Sequence, residues 1–276
     1  MTMTLACAID RNYTELAGVM LHSVRINGDI PHVPLCVLGD GLKPIDKKRL
    51  EICAGRKIKF IDLTDEMIAR FAGFRTNANW SRAIYGRLIL PDLLDADVTR
   101  LVYLDADTMA KKSIRPLFEM DLGGAIAAAV GGSLPRMNAS IGRPADRFYF
   151  NSGVLVLELE KYRTEKLGDR ALEIVRNNNL RFPDQDALNL VIDGRVVPLD
   201  RSWNEELAAG SDTAAIIHFT HAKPNTTRCK HPEKELFLEY RRDTPWANKR
   251  LKTKLDKRWR KFKHSLHRRW KAVAGG

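Results

Sequence analysis

Asp105 and Asp107 stand one residue apart at the end of the apolar run Leu101-Val102-Tyr103-Leu104. That run reads as a buried strand, and residues i and i+2 of an extended chain point to the same side. Two carboxylates can therefore converge just past the strand end. In an open α/β sheet that point is the carboxyl edge, where ligands bind. Two hard oxygen ligands suit a divalent cation, and such a cation commonly bridges phosphate oxygens. The plain alternative is a solvated, Asp-rich turn.

The elements needed to position such a pair are present. Apolar runs at 5–9, 35–38, 58–63, 101–104 and 125–130 read as strands, and further runs follow at 154–159, 196–199 and 215–219. Helical patterns at 14–24, 46–53, 81–94, 161–177 and 184–192 separate several of them, with Pro91 expected to kink or shorten the third. Strands alternating with helices predict an α/β, doubly wound, mostly parallel sheet. There is no internal repeat and no low-complexity linker.

The chain has 276 residues, 44% of them hydrophobic, which suits one large domain with a sizeable core and excludes a disordered chain. No N-terminal segment has the pattern of a secretory leader, and no apolar run approaches the roughly 18 residues that span a bilayer. Cys7, Cys36, Cys53 and Cys229 are scattered, without zinc spacing; Cys7 and Cys36 sit in apparent buried strands and read as reduced core thiols of a cytoplasmic protein. The net charge is +12, and residues 249–271 hold +11 of it, twelve Lys or Arg against Asp256 alone. The body is nearly neutral. The composition shift puts a boundary at residue 246, with a catalytic domain over 1–246 and a basic tail over 247–276.

Other segments fall in order around the carboxylate pair. They are Ala8-Ile9-Asp10-Arg11-Asn12-Tyr13, Ile84-Tyr85-Gly86-Arg87-Leu88, Phe150-Asn151-Ser152-Gly153-Val154-Leu155 and Phe182-Pro183-Asp184-Gln185-Asp186-Ala187-Leu188-Asn189, then Trp203-Asn204 and Ile216-Ile217-His218-Phe219-Thr220-His221-Ala222-Lys223-Pro224. Over residues 3 to 225 the series resembles the family 8 retaining glycosyltransferases. That family includes glycogenin and bacterial α-galactosyl- and α-glucosyltransferases of lipopolysaccharide and lipooligosaccharide synthesis.

The resemblance implies a GT-A fold, a UDP-sugar donor, Mn2+ and transfer with retention. It implies Asp105, Asp107 and His218 as metal ligands. It makes Asp10, Asn12 and Tyr13 the nucleotide-binding strand end, with the Tyr13 ring on uracil, and Lys223 a diphosphate contact. Arg87, Asn151, Asp184 and Gln185 become donor-sugar contacts, and Gln185 and Asp184 the catalytic pair. Each has a bland reading: His218 and Tyr13 as core residues, Asp184 as a helix cap, Arg87 and Lys223 as solvated charges. A carboxylate–imidazole set suits Mn2+ better than Ca2+, and a flat ring at a strand end is a natural base platform. Gln185 is an amide and a poor nucleophile, and one helix cannot present Asp184 and Asp186 on one face with it. Front-face attack by the acceptor hydroxyl is therefore favoured over a covalent intermediate.

The sequence also departs from the family. His218 to Lys223 is one residue shorter than usual, no glycine lies between them, and Asn225 replaces a Trp. Asn79 stands where related galactosyltransferases carry a His, and Gly131 or Gly132 where they carry an Asp. Galactose transfer is therefore not inherited automatically.

In the tail, Leu251, Leu255, Trp259, Phe262, Leu266 and Trp270 recur at helical spacing among Lys and Arg. This reads as a basic amphipathic helix on an anionic membrane surface, ahead of a helix packed on the body or a nucleic-acid patch. The expected protein moves glucose or galactose from a UDP-sugar to a glycan or glycolipid acceptor, peripherally bound at the inner membrane face. The alternatives are an inactive relative that binds glycolipid or nucleic acid, and a sugar-nucleotide nucleotidyltransferase. The second would be expected to carry a glycine- and lysine-rich phosphate loop near the N-terminus, which is absent.

Overall fold

The computed structural model describes residues 2–74, 81–207, 209, 212–256 and 258. Asn79 and the tail residues Trp259, Phe262, Leu266 and Trp270 lie outside the described residues. In chain order the elements are β1 (Thr2–Asp10), α1 (Thr14–Asn27), β2 (Leu35–Asp40), α2 (Pro44–Ala54), β3 (Lys59–Asp62), α3 (Asp65–Arg70), α4 (Ala83–Leu93), β4 (Val98–Leu104), β5 (Thr108–Ala110), α5 (Arg115–Glu119), β6 (Ala127–Ser133), α6 (Pro135–Ser140), β7 (Phe148–Glu158), α7 (Leu159–Thr164), α8 (Leu167–Asn177), α9 (Pro183–Ile192), β8 (Val196–Leu199), β9 (Ile216–His218) and α10 (Lys234–Arg242).

Seven strands form one sheet in the order β3-β2-β1-β4-β7-β6-β8. β7 runs antiparallel to both its neighbours, and the other pairs are parallel. The sheet is doubly wound, as expected. Its strand order reverses beside β1, whose neighbours are β2 and β4. Strand alternation feeds two cores. Leu5, Cys7 and Ile9 of β1, with Val102 and Leu104 of β4, join α1 and α2 on one face. Ala6 of β1, with Leu101 and Tyr103 of β4, joins α4, α8 and α9 on the other. All four cysteines are buried and free.

α4 ends at Leu93, two residues past Pro91, and its end is capped from outside. Arg163 donates to the carbonyls of Pro91, Leu94, Asp95 and Val98. The single helix expected over 161–177 is two helices, broken at Lys166, whose φ is 51°. The break lets Gly168 lie against α4, where a Cβ would stand 2.7 Å from the Leu88 carbonyl oxygen. A second, two-stranded sheet pairs β5 with β9 antiparallel, with Thr108 opposite His218. Three residues are too short to leave a periodic signal, yet this pairing assembles the site.

Candidate active site

The site lies at the carboxyl edge where the strand order reverses, the usual ligand position of such sheets. Asp105 and Asp107 leave β4 in the turn before β5, and the Phe219 N–H donates to the Asp107 carbonyl. The β5–β9 register carries His218 to the two carboxylates. Its Nε2 lies 3.3 Å from Asp107 Oδ1 and 3.8 Å from Asp105 Oδ2. Among the described residues, these three are the group whose ligand atoms converge, all within 4.8 Å of one another.

The other oxygen of each aspartate is already neutralised. Arg87 Nη2 donates to Asp105 Oδ1 at 2.6 Å, and Lys223 pairs with Asp107 Oδ2. What remains facing inward is one oxygen from each aspartate plus an imidazole nitrogen. Such a mixed donor set fits a divalent transition metal such as Mn2+. Burial works against the charge on Asp107, but Lys223 and His218 overcome it and hold its carboxyl far below the usual carboxylate range. Asp105 goes the other way, because burial and the Asp107 charge outweigh Arg87.

A polar relay behind His218 fixes its tautomer. The Gly153 N–H and the Asn204 amide NH2 both donate to Asn151 Oδ1, at 2.7 and 3.0 Å. The oxygen of Asn204 is thereby turned to His218 Nδ1, at 2.8 Å. That oxygen can only accept, so Nδ1 carries a proton and Nε2 is the nitrogen that faces the aspartates. Gly153 packs directly under the ring, where a Cβ would stand 2.2 Å from His218 Cε1.

Arg87 is buried and bound on several sides. Its Nη1 donates to the Ser152 carbonyl and hydroxyl at 2.9 and 2.8 Å. Its Nε approaches Asp184 Oδ2 to 3.0 Å as an ion pair, without hydrogen-bond geometry. The solvated-charge reading of Arg87 is thus excluded. Asp184 is also not the helix cap: the Phe182 N–H at the start of α9 donates instead to Asp186 Oδ2, at 2.8 Å. Asp186 is fully buried, and its Oδ1 accepts from the Tyr149 hydroxyl. Burial lifts its carboxyl above the ordinary range, against the pull of that hydroxyl and of the Phe182 N–H.

Asp10 caps the turn Arg11–Tyr13, accepting from the Asn12 and Tyr13 N–H groups at 2.8 and 3.2 Å. The Asn12 amide ties back to Asp10 Oδ2 at 3.1 Å. A cavity of about 780 Å³ joins this turn to the aspartates. It is lined by every site residue expected from sequence except Asn12, which sits on the outside of the turn. Gly131 lines it and Gly132 does not. A Cβ on Gly131 would fall 2.3 Å from the Tyr149 carbonyl oxygen, so no carboxylate can stand there. The shortened His218–Lys223 loop still delivers its lysine, whose Nζ donates to the Phe219 carbonyl at 2.8 Å. Sequence reasoning gave no role to Tyr149, Ser152, Gly153 or Asn204; the last three stand in the quoted segments without an apolar pattern to explain them.

A doubly wound sheet with this edge constellation is a GT-A glycosyltransferase. The chain belongs to glycosyl transferase family 8, whose model matches residues 4–225. It is 30% identical over 261 residues to lipopolysaccharide 1,2-glucosyltransferase of Escherichia coli, covering 88% of this chain and 72% of that one. It is 24% identical to lipopolysaccharide 1,3-galactosyltransferase of Salmonella typhimurium, covering 88% and 79%. Among solved structures, the galactosyltransferase LgtC in complex with donor and acceptor sugar analogs superposes with a TM-score of 0.78 at 26% identity, covering 89% of this chain and 99% of that one.

Proposed function

We propose that this glycosyltransferase moves glucose or galactose, with retention, from a UDP-sugar to an acceptor hydroxyl on a lipopolysaccharide-type glycolipid. The observation that carries the reading is the set of three inward donor atoms whose outer oxygens Arg87 and Lys223 neutralise. Asp105, Asp107 and His218 would hold Mn2+, which when bound acts as a Lewis acid towards the departing diphosphate. Lys223 adds a second positive charge for the diphosphate. Asp10 and Tyr13 form the nucleotide end of the cavity, with the Tyr13 ring as the base platform. Arg87, Asn151, Asp184 and Gln185 face the sugar. Asp186 is turned away with both oxygens engaged, Asp184 is paired with Arg87, and Gln185 is an amide and a poor nucleophile. This supports front-face attack by the acceptor. The relatives named as lipopolysaccharide glucosyl- and galactosyltransferases support the sugar and acceptor classes. The basic tail supports attachment to the anionic inner leaflet; among the described residues no helix is long and apolar enough to cross a membrane.

The test is donor hydrolysis with UDP-glucose, UDP-galactose and their N-acetyl forms in Mn2+. Turnover of one hexose donor is expected, lost in chelator and lowered at least a hundredfold in Asp107→Asn. Inactivity with all four donors, or full activity of Asp107→Asn, overturns the reading.

A further inference from the structure

Gln185 stands in a chain of hydrogen bonds whose polarity is set at both ends by backbone N–H groups. The Ser152 N–H donates to Gln185 Oε1 at 3.1 Å. Only an oxygen can face that donor, so the amide has one orientation. Its Nε2 then donates to the Tyr149 hydroxyl oxygen at 3.1 Å. Tyr149, having accepted, turns its own proton to Asp186 Oδ1. Asp186 Oδ2 takes the Phe182 N–H at 2.8 Å. Tyr149 is 2% exposed and Asp186 is 0% exposed, so water does not compete for these bonds. Gln185 Oε1 keeps one lone pair, and Gln185 and Tyr149 both line the cavity.

We propose that Tyr149 and Asp186 are positioning residues for Gln185. They aim its carbonyl oxygen into the cavity and sharpen its dipole. Resting on the reading that Gln185 faces the donor sugar, the inference adds why an amide serves there. A carbonyl oxygen fixed against the sugar offers partial negative charge to an oxocarbenium-like state without forming a bond. A buried carboxylate at the far end polarises the hydroxyl and, through it, the amide, since linked hydrogen bonds strengthen one another. No proton leaves its heavy atom, and no bond forms or breaks along the chain. Asp186 acts through Tyr149 and does not touch the sugar.

The experiment is a double-mutant cycle on donor hydrolysis with the full chain, using Tyr149→Phe, Gln185→Ala and the pair, with UDP affinity by calorimetry. Tyr149→Phe is expected to lower kcat by roughly tenfold to a hundredfold, with KM and UDP affinity within about twofold. The double variant is expected to be no slower than Gln185→Ala alone, because Tyr149 acts only through Gln185. Multiplicative losses, or an unchanged kcat in folded Tyr149→Phe, overturn the relay. If Gln185→Ala itself keeps full kcat, the placement of Gln185 at the donor sugar fails instead, and the relay with it. Should Tyr149→Phe not fold, the same cycle is run with Asp186→Asn, which cannot accept from both Tyr149 and Phe182.

Discussion

His218 owes its place to what its neighbours lack as much as to what they supply. Asn204 holds Nδ1 from one side, and Gly153 leaves the space that the ring fills. A methyl group on Gly153 would overlap Cε1 and push Nε2 away from Asp105 and Asp107. Gly153→Ala is expected to weaken Mn2+ binding about ten- to a hundredfold, the usual cost of disturbing the shell behind a metal ligand. Overpacking should also cost about 1–3 kcal/mol. Gly132 is the matched control, because a Cβ there meets nothing within 4 Å. Titration with Mn2+ should separate the two alanine variants, and equal affinities would remove Gly153 from the metal site. The charged residues of this site were legible in the sequence because their segments fall in one order around the D-x-D pair. Gly153 and Asn204 were not, since a glycine's reason for being small lies in a residue 65 positions away.

At the scale of elements, the turn after β1 is braced from α2. Arg11 Nε donates to Asp46 Oδ2 at 2.7 Å, and the Lys43 N–H reaches the same oxygen at 3.0 Å. Burial opposes the charge on Asp46, but these two donors win and hold its carboxyl below the ordinary range. A depressed native pKa adds stability that is fully present above the unfolded value of about 3.9. That contribution disappears as pH falls through the native value. Asp46→Asn is therefore expected to cost about 1 kcal/mol near neutrality, with the gap to wild type narrowing towards pH 3. Denaturation midpoints at the two pH values check this, and a gap independent of pH would mean that the brace is not ionic. The sequence showed the eight strands of the main and minor sheets that have apolar runs, and the central ones are continuously apolar because they alternate between two cores. β5 went unseen, since its pairing with β9 is a long-range contact. α7 and α8 merged in the periodic pattern, because only packing against α4 breaks them. β7 begins at Phe148, well before its apolar run at Val154, because Asn151 and Ser152 are spent on the site.

The whole molecule joins a nearly neutral body to a tail carrying +11, and the packed body extends past the composition boundary at Trp246. Trp246 lies against Gly18 of α1, where a Cβ would stand 2.4 Å from its ring. Lys249 Nζ lies 3.1 Å from Glu15 Oε2, beside Arg241 on Oε1. Lys252 pairs with the backbone of Asn225 and Thr227, just after Lys223, and its Nζ reaches the Asn12 carbonyl at 3.3 Å. Arg250 and Thr253 both bind Asp256. The residues through Asp256 thus tie the Arg11–Tyr13 turn to the lysine loop, while those beyond hold +8 of the tail's charge. Two truncations should separate these jobs. A chain ending at Asp256 is expected to lose co-sedimentation with anionic vesicles at low salt, where attraction is least screened. It should keep UDP affinity and donor hydrolysis. A chain ending at Asn248 should also bind UDP more weakly and melt a few degrees lower, as about 1 kcal/mol does for a domain of this size. Vesicle sedimentation and UDP calorimetry on both chains decide the matter. If the Asp256 chain still sediments, the anchor lies elsewhere; if the Asn248 chain binds UDP as tightly as wild type, Lys252 does not support the nucleotide site.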